Sequence, residues 1–305
     1  MRKTLLDLLI CPLCLPAEKP LRASCREQHD DDVVTATLRC PACRSDYQVC
    51  DGLATLLAPR AGSDAYATPQ RLTTYLWSHY AEFEGDPDAH QAYPAWAELL
   101  AGCGGPALDT GCAVGRLSFE LARHADPVIG IDLSAVFIEA ARRLAREGRL
   151  EYALVSEGEL TETRSVTLPV ELPRERVEFL VADAMALPFP ASLFATVTSL
   201  NLLDRVPAPQ RHLAELNRVA RCAAATLLVA DPWSWAESPA PGGAWLGGRL
   251  SGANRGHARD NLRRQLKAVR PHPWHVHTAG RVDWTLRNHR NHFELIRSDF
   301  LLARR

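Results

Sequence analysis

Ala107-Leu108-Asp109-Thr110-Gly111-Cys112-Ala113-Val114-Gly115 is the stretch that decides the fold. A short apolar run ends on an acid, a glycine-containing turn follows, and residues 116–123 have the spacing of an amphipathic helix. Strand, glycine turn and helix make the first unit of a doubly wound, Rossmann-like α/β sheet. Glycine lets the backbone approach a ligand with no Cβ in the way. Outward from this stretch, residues 128–131 form a second strand ending at Asp132. That carboxylate lies about 20 residues past the turn, where an acid accepts ribose hydroxyls in such folds. Val177-Glu178-Phe179-Leu180-Val181 is a third strand, followed by Ala182-Asp183-Ala184. Residues 193–200 form a fourth, with Asn201 and Asp204 at its C-terminal end. Helices near 134–147 and 208–220, a strand at 226–230 and a last strand within 293–303 complete the pattern. Ligands bind at the C-terminal edge of such sheets.

Two nucleotides compete for this edge. The dinucleotide fingerprint needs a small third residue where helix packs on strand. Read from Gly111, its positions fall on Gly111, Ala113 and Arg116, and Arg116 is too large. An acid directly before the glycines resembles instead the first motif of class I methyltransferases. That resemblance implies S-adenosylmethionine as cofactor. Asp109, Gly111, Cys112, Ala113 and Gly115 would surround its methionine part, with Cys112 as a small packing residue. Asp132 and Leu133 would meet the ribose, Asp183 and Ala184 the adenine, and Asn201 the reacting end.

Six of the nine cysteines fall in residues 1–60. Cys11-Pro12-Leu13-Cys14 and Cys40-Pro41-Ala42-Cys43 are two C-x-x-C knuckles with 25 residues between them. Two knuckles direct four thiolates at one ion, the all-sulfur arrangement of structural zinc. Four ligands leave no open position, and metal binding supplies folding energy to so small a unit. The flanking strings, Leu5-Leu6-Asp7-Leu8-Leu9 before the first knuckle and Asp51-Gly52-Leu53-Ala54-Thr55-Leu56-Leu57 after Tyr47, resemble a small zinc-ribbon family that activates RNA and protein methyltransferases. A zinc ribbon over 1–60 and a methyltransferase domain over 64–305 are expected, joined at Ala61-Gly62-Ser63-Asp64.

Further strings are more specific. They include Asp109 through Arg116 followed by Ser118-Phe119-Glu120-Leu121-Ala122-Arg123, and Glu157-Gly158-Glu159-Leu160. Asn201-Leu202-Leu203-Asp204-Arg205, Asp231-Pro232-Trp233-Ser234-Trp235, Leu286-Arg287-Asn288-His289 and His79-Tyr80 belong with them. Together they resemble the ovothiol-pathway domain that methylates a ring nitrogen of 4-mercaptohistidine. The resemblance implies a small amino-acid substrate and functional pairing with a separate sulfoxide synthase. Residues 161–176, with Pro169 and Pro173, read as an insertion.

Methyl transfer from a sulfonium is a direct displacement, and a neutral imidazole nitrogen attacks without a base. The protein's part is orientation and exclusion of water. Catalytic candidates are Asn201, Asp204, Tyr80, His79, Arg287 and His289, with Tyr75, Arg205, Trp233, Trp235 and Trp245 as further contacts. Asp204 would take the substrate ammonium and Arg287 its carboxylate.

Composition narrows the classes. The chain has 305 residues, 47% apolar and 23% charged, with a net charge of −1. A disordered, collagen-like or coiled-coil protein is excluded. No apolar run reaches the roughly 18–20 residues of a membrane span, and Asp7 interrupts the only signal-like start. The odd cysteine count and the C-x-x-C pairs fit a cytoplasmic setting. Residues 249–305 carry 13 Arg/Lys against 4 Asp/Glu, which supports an alternative: an rRNA or tRNA methyltransferase gripping RNA with ribbon and basic tail. Near-neutral overall charge and the lack of a basic stripe interleaved with aromatics weigh against nucleic acid.

Overall fold

The computed structural model describes residues 1–58 and 68–305. The joint expected at 61–64 lies outside them. The N-terminal segment holds α1 (Lys3–Leu6) and four antiparallel strands: β1 (Arg22–His29), β2 (Asp32–Arg39), β3 (Asp46–Cys50) and β4 (Leu53–Leu56). Alternation in β2 buries Val33, Ala36 and Leu38, while all eight residues of β1 are exposed. The first knuckle forms a 3-10 turn, and the second lies between β2 and β3.

The remaining elements follow in order. They are α2 (Pro69–Tyr80), α3 (Ala92–Glu98), β5 (Ala107–Thr110), α4 (Arg116–Leu121), β6 (Val128–Asp132), α5 (Ala135–Glu147), β7 (Arg149–Glu157), β8 (Leu160–Thr167) and β9 (Val177–Ala182). Then come β10 (Thr196–Leu200), α6 (Pro209–Val219), β11 (Thr226–Asp231), α7 (Ala258–Ala268), β12 (His275–His289) and β13 (His292–Arg304). One sheet runs β1-β2-β3-β4-β9-β6-β5-β10-β11-β13-β12. Its parallel centre, β9 to β11, is the expected doubly wound sheet. Every residue of β5, β9, β10 and β11 is buried, as both-face coverage by helices requires.

The cysteine-bearing strands are continuous with this sheet. β4 pairs in parallel with β9, Thr55 opposite Val181 and Leu56 opposite Ala182. Arg2 also bridges to Glu178 at 2.8 Å.

Three local expectations need correction. α4 is not amphipathic: all six residues are buried, because α3 packs beside it and Arg116 pairs with Glu82 and Glu120. No strand is expected over 149–157; β7 there pairs with β8 as an antiparallel hairpin and packs on α2, α5 and β12. The last strand is half of a long hairpin whose first arm, β12, has no counterpart in the sequence reading.

Candidate active site

The C-terminal ends of β5, β6, β9 and β10 open onto a cavity of roughly 390 Å³. Its floor is the glycine turn. Gly111 sits at φ +70, and a Cβ there would meet Leu202 at 2.9 Å. The N–H groups of Gly111 and Cys112 both donate to the Ile131 carbonyl, fastening the turn to β6. Ala113 continues the turn at φ +47 and donates its N–H to Asp132 Oδ2 at 3.0 Å. Cys112 is buried, and burial pushes its thiol well above the ordinary range.

The three strand-end acids all line this cavity. Asp132 accepts from Ala113 and, at Oδ1, from Ser134 N–H at 2.9 Å. Asp183 accepts from Met185 N–H at 2.9 Å, curling the chain after β9. His212 on α6, absent from the sequence candidates, supports this curl. It sits between Ser199 Oγ (2.9 Å) and the Ala184 carbonyl (3.0 Å), and burial lowers its pKa to about 4. A histidine on the apolar stripe with Leu216 and Val219 was the available signal.

Asp109 differs from the expectation that it simply faces the ligand. It is 2% exposed and accepts from Ser118 Oγ at 2.7 Å and Thr198 Oγ at 2.8 Å. Burial pushes its carboxyl up to about 6. Among the described residues no cation pairs with it. A buried carboxylate held by neutral hydroxyls fits a cationic ligand beside it.

Leu133, Ala184, Asn201 and Arg205 also lie on the wall. Gly115 does not. It caps α4 at φ +86, and a Cβ there would strike Phe179 at 2.5 Å, so it packs helix on sheet behind the cavity.

The far half is roofed by α2, α3 and the C-terminal hairpin. Tyr75 and His79 come from α2, Tyr93 from α3, and Trp284, Leu286, Glu294 and Ile296 from β12 and β13. His79 Nε2 bonds the Tyr93 hydroxyl, and Nδ1 is buried with no partner among the described residues. Desolvation, aided by Arg116, holds this imidazole well below its usual pKa, hence neutral. Tyr93, Trp284 and Leu286 escape sequence reasoning because their elements carry no glycine or acidic signature.

Four candidates lie off the wall. Tyr80 is buried and donates its hydroxyl to the Val114 carbonyl at 2.6 Å, anchoring α2 on the glycine turn. Asp204 is wholly buried beside Asp231, accepts from Ser234 N–H at 2.7 Å and lies 3.2 Å from Arg205 Nε. Arg287 sits between Asp86 (3.8 Å) and Glu162 (3.5 Å), over the rings of Trp77 and Phe293. His289 ends β12 near His292, its Nδ1 accepting from Asn291 N–H. Trp235 stacks on Trp245 and lies tilted against Trp233, each pair of rings 6.4 Å apart, outside the cavity wall.

At the other end, Cys11, Cys14, Cys40 and Cys43 bring their sulfurs within 4.8 Å of one another. The pairs Cys11–Cys43 and Cys14–Cys40 are 3.6 and 3.7 Å apart. Zn–S bonds of about 2.3 Å in a tetrahedron place sulfurs about 3.8 Å apart, so this cluster of four cysteines is compatible with zinc.

Residues 108–225 match a methyltransferase domain family. The chain is 29% identical over 106 residues to a ubiquinone biosynthesis O-methyltransferase of Coxiella burnetii, covering 35% of each chain. It is 32% identical over 126 residues to a phosphatidylethanolamine N-methyltransferase of Cereibacter sphaeroides, covering 41% of this chain and 50% of that one. The chain thus spans between a third and a half of these relatives. Among solved structures, the magnesium protoporphyrin IX methyltransferase of Synechocystis PCC 6803 has a TM-score of 0.43 at 17% identity, over 81% of this chain and 90% of that one. An S-adenosylmethionine-dependent methyltransferase from Methanosarcina mazei has 0.41 at 20%, over 65% and 91%.

Proposed function

We propose that this chain, whose residues 108–225 match a methyltransferase domain, is a class I S-adenosylmethionine-dependent methyltransferase acting on a small thiol-imidazole amino acid. The substrate is 4-mercaptohistidine, methylated on a ring nitrogen in ovothiol biosynthesis. The observation that carries the small-molecule reading is the roof. One cavity is lined both by the three strand-end acids and by Tyr75, His79, Tyr93 and Trp284. Its volume is in the range of small-molecule sites.

When bound, S-adenosylmethionine supplies a methyl group on a positively charged sulfur. Asp132 has acceptors for its ribose hydroxyls, Asp183 stands at the adenine end, and ionised Asp109 balances positive charge. Tyr75 and Trp284 bring aromatic rings to the wall that a heteroaromatic substrate would meet. Arg71 and Glu294 bring opposite charges to the same wall, as a zwitterion needs; they replace Asp204 and Arg287 in that role. Neutral His79 adds no charge beside the attacking nitrogen. Orientation and exclusion of water then carry the reaction.

The four clustered cysteines hold structural zinc. None of the nine cysteines is in a disulfide among the described residues, which suits a cytoplasmic enzyme paired with a separate sulfoxide synthase. No helix among the described residues is long and apolar enough to cross a membrane. RNA has less support. Arg259 and Arg281 reach Asp299, Arg297 reaches Asp283, and Arg305 bonds carbonyls around α6, so much of the basic tail is spent within the fold.

The test is incubation of the purified chain with methyl-labelled S-adenosylmethionine and 4-mercaptohistidine, histidine or total RNA. Label is expected on the ring nitrogen of 4-mercaptohistidine. Label in RNA alone overturns the reading.

A further inference from the structure

We infer that Ser298 and Trp284 fix the polarity of Asn201, so that it meets the methyl acceptor only as a hydrogen-bond donor. The site then takes a substrate that carries a hydrogen-bond acceptor, such as a thiolate, beside its attacking nitrogen. This deepens the proposed function and rests on it.

Trp284 on β12 pairs with Ile296 on β13. Ser298, two residues on, is its diagonal neighbour on the same face of the hairpin. Trp284 Nε1 reaches Ser298 Oγ at 3.0 Å. An indole nitrogen only donates, so the serine oxygen accepts. Ser298 is wholly buried, and its one proton needs an acceptor. β11 stops at Asp231, opposite Asp299, so Ser298 lies past the strand's end, where it bonds Asn201 Oδ1. Parity now fixes the carboxamide. Were it flipped, the serine oxygen would face two donors and its own proton would have none of these acceptors left.

Asn201 itself is pinned. Its N–H donates to the Ala230 carbonyl at 2.7 Å, and its backbone lies at φ +55, a region Asn enters more readily than most residues. With Oδ1 committed to Ser298, the side chain's remaining polar group is the Nδ2 amide. That group has no partner among the described residues, and Asn201 lines the cavity. An amide N–H₂ attracts the substrate's thiolate, leaving the neighbouring ring nitrogen's lone pair for the methyl carbon, and offers nothing to an ammonium or a ring N–H. Ser298 does not line the cavity, so it acts through Asn201 as a positioning residue.

The experiment uses the full chain and two readouts. In turnover with 4-mercaptohistidine, Ser298→Ala is expected to lower the acceptor's kcat/KM at least tenfold. Its S-adenosylmethionine Kd should stay within twofold of wild type. Asn201→Asp, which turns the donor into an acceptor, should lose at least a hundredfold. The second readout needs no turnover. The Asn201 side-chain amide pair, identified in ¹⁵N–¹H spectra by its loss in Asn201→Leu, should shift in Ser298→Ala and in Trp284→Phe. Equal kcat/KM in wild type and Ser298→Ala overturns the inference, as does an amide pair unmoved in both variants. Failure of the wild type to methylate 4-mercaptohistidine overturns the proposed substrate instead, and the amide shift then decides the inference alone.

Discussion

Ile10 donates its backbone N–H to the carbonyl of Pro188 at 3.0 Å, joining the residue before Cys11 to the loop that follows Asp183. Glu18 strengthens the joint by accepting from Arg218 on α6 at 2.9 Å and from Ala191 N–H at 2.8 Å. The four-cysteine segment and the parallel sheet are therefore expected to unfold together. Removing the proposed zinc with a chelator, or Cys11→Ser, should lower stability by on the order of 5 kcal/mol in a single transition. Calorimetry that shows two independent transitions would contradict this.

Asp109 ties ligand affinity to pH. Its folded, ligand-free pKa of about 6 lies above the ordinary carboxylate value of about 3.9. A raised acid stabilises the fold below the ordinary value, and that contribution disappears as pH rises through about 6. A cationic ligand favours the ionised form, so S-adenosylmethionine affinity should increase as pH rises through that value. Titration calorimetry at several pH values would show the slope in wild type and a flat line in Asp109→Asn.

Gly115→Ala should cost about 2–4 kcal/mol, from left-handed backbone strain plus overpacking. The new Cβ would overlap the Phe179 ring at 2.5 Å, in a backbone at φ +86. Denaturant unfolding measures the loss.

Arg287→Ala separates packing from substrate binding. The guanidinium is buried between Asp86 and Glu162, so its loss should cost about 2–3 kcal/mol of stability. Acceptor KM should remain within twofold. A hundredfold rise would mean that the arginine binds substrate after all.

The nucleotide half of the site is legible in sequence because its chemistry is local. Acid, glycine turn and helix occur within ten residues, and the acids at 132 and 183 mark strand ends in a parallel sheet whose ligand edge is fixed by topology. The acceptor half is not legible. Tyr93 and Trp284 are distant in sequence, and only the packing of α3 and the C-terminal hairpin brings them to one wall. Arg287 and Asp204 look like binding groups because nothing in sequence shows that a charge is already paired. His79 and Tyr80 stand side by side in sequence, yet only His79 reaches the cavity. The four clustered cysteines need only their spacing, but the pairing of β4 with β9 leaves no sequence mark.

That pairing shields the molecule from its own kind. β9, six buried residues with no proline, is the sort of segment on which a second chain adds a strand when its margin lies open. The N-terminal strands shift that margin outward to β1, which carries Arg22, Arg26, Glu27 and His29 and exposes every residue. A polar, charged outer strand discourages edge-to-edge growth, so the cysteine segment guards against aggregation as well as bracing the fold.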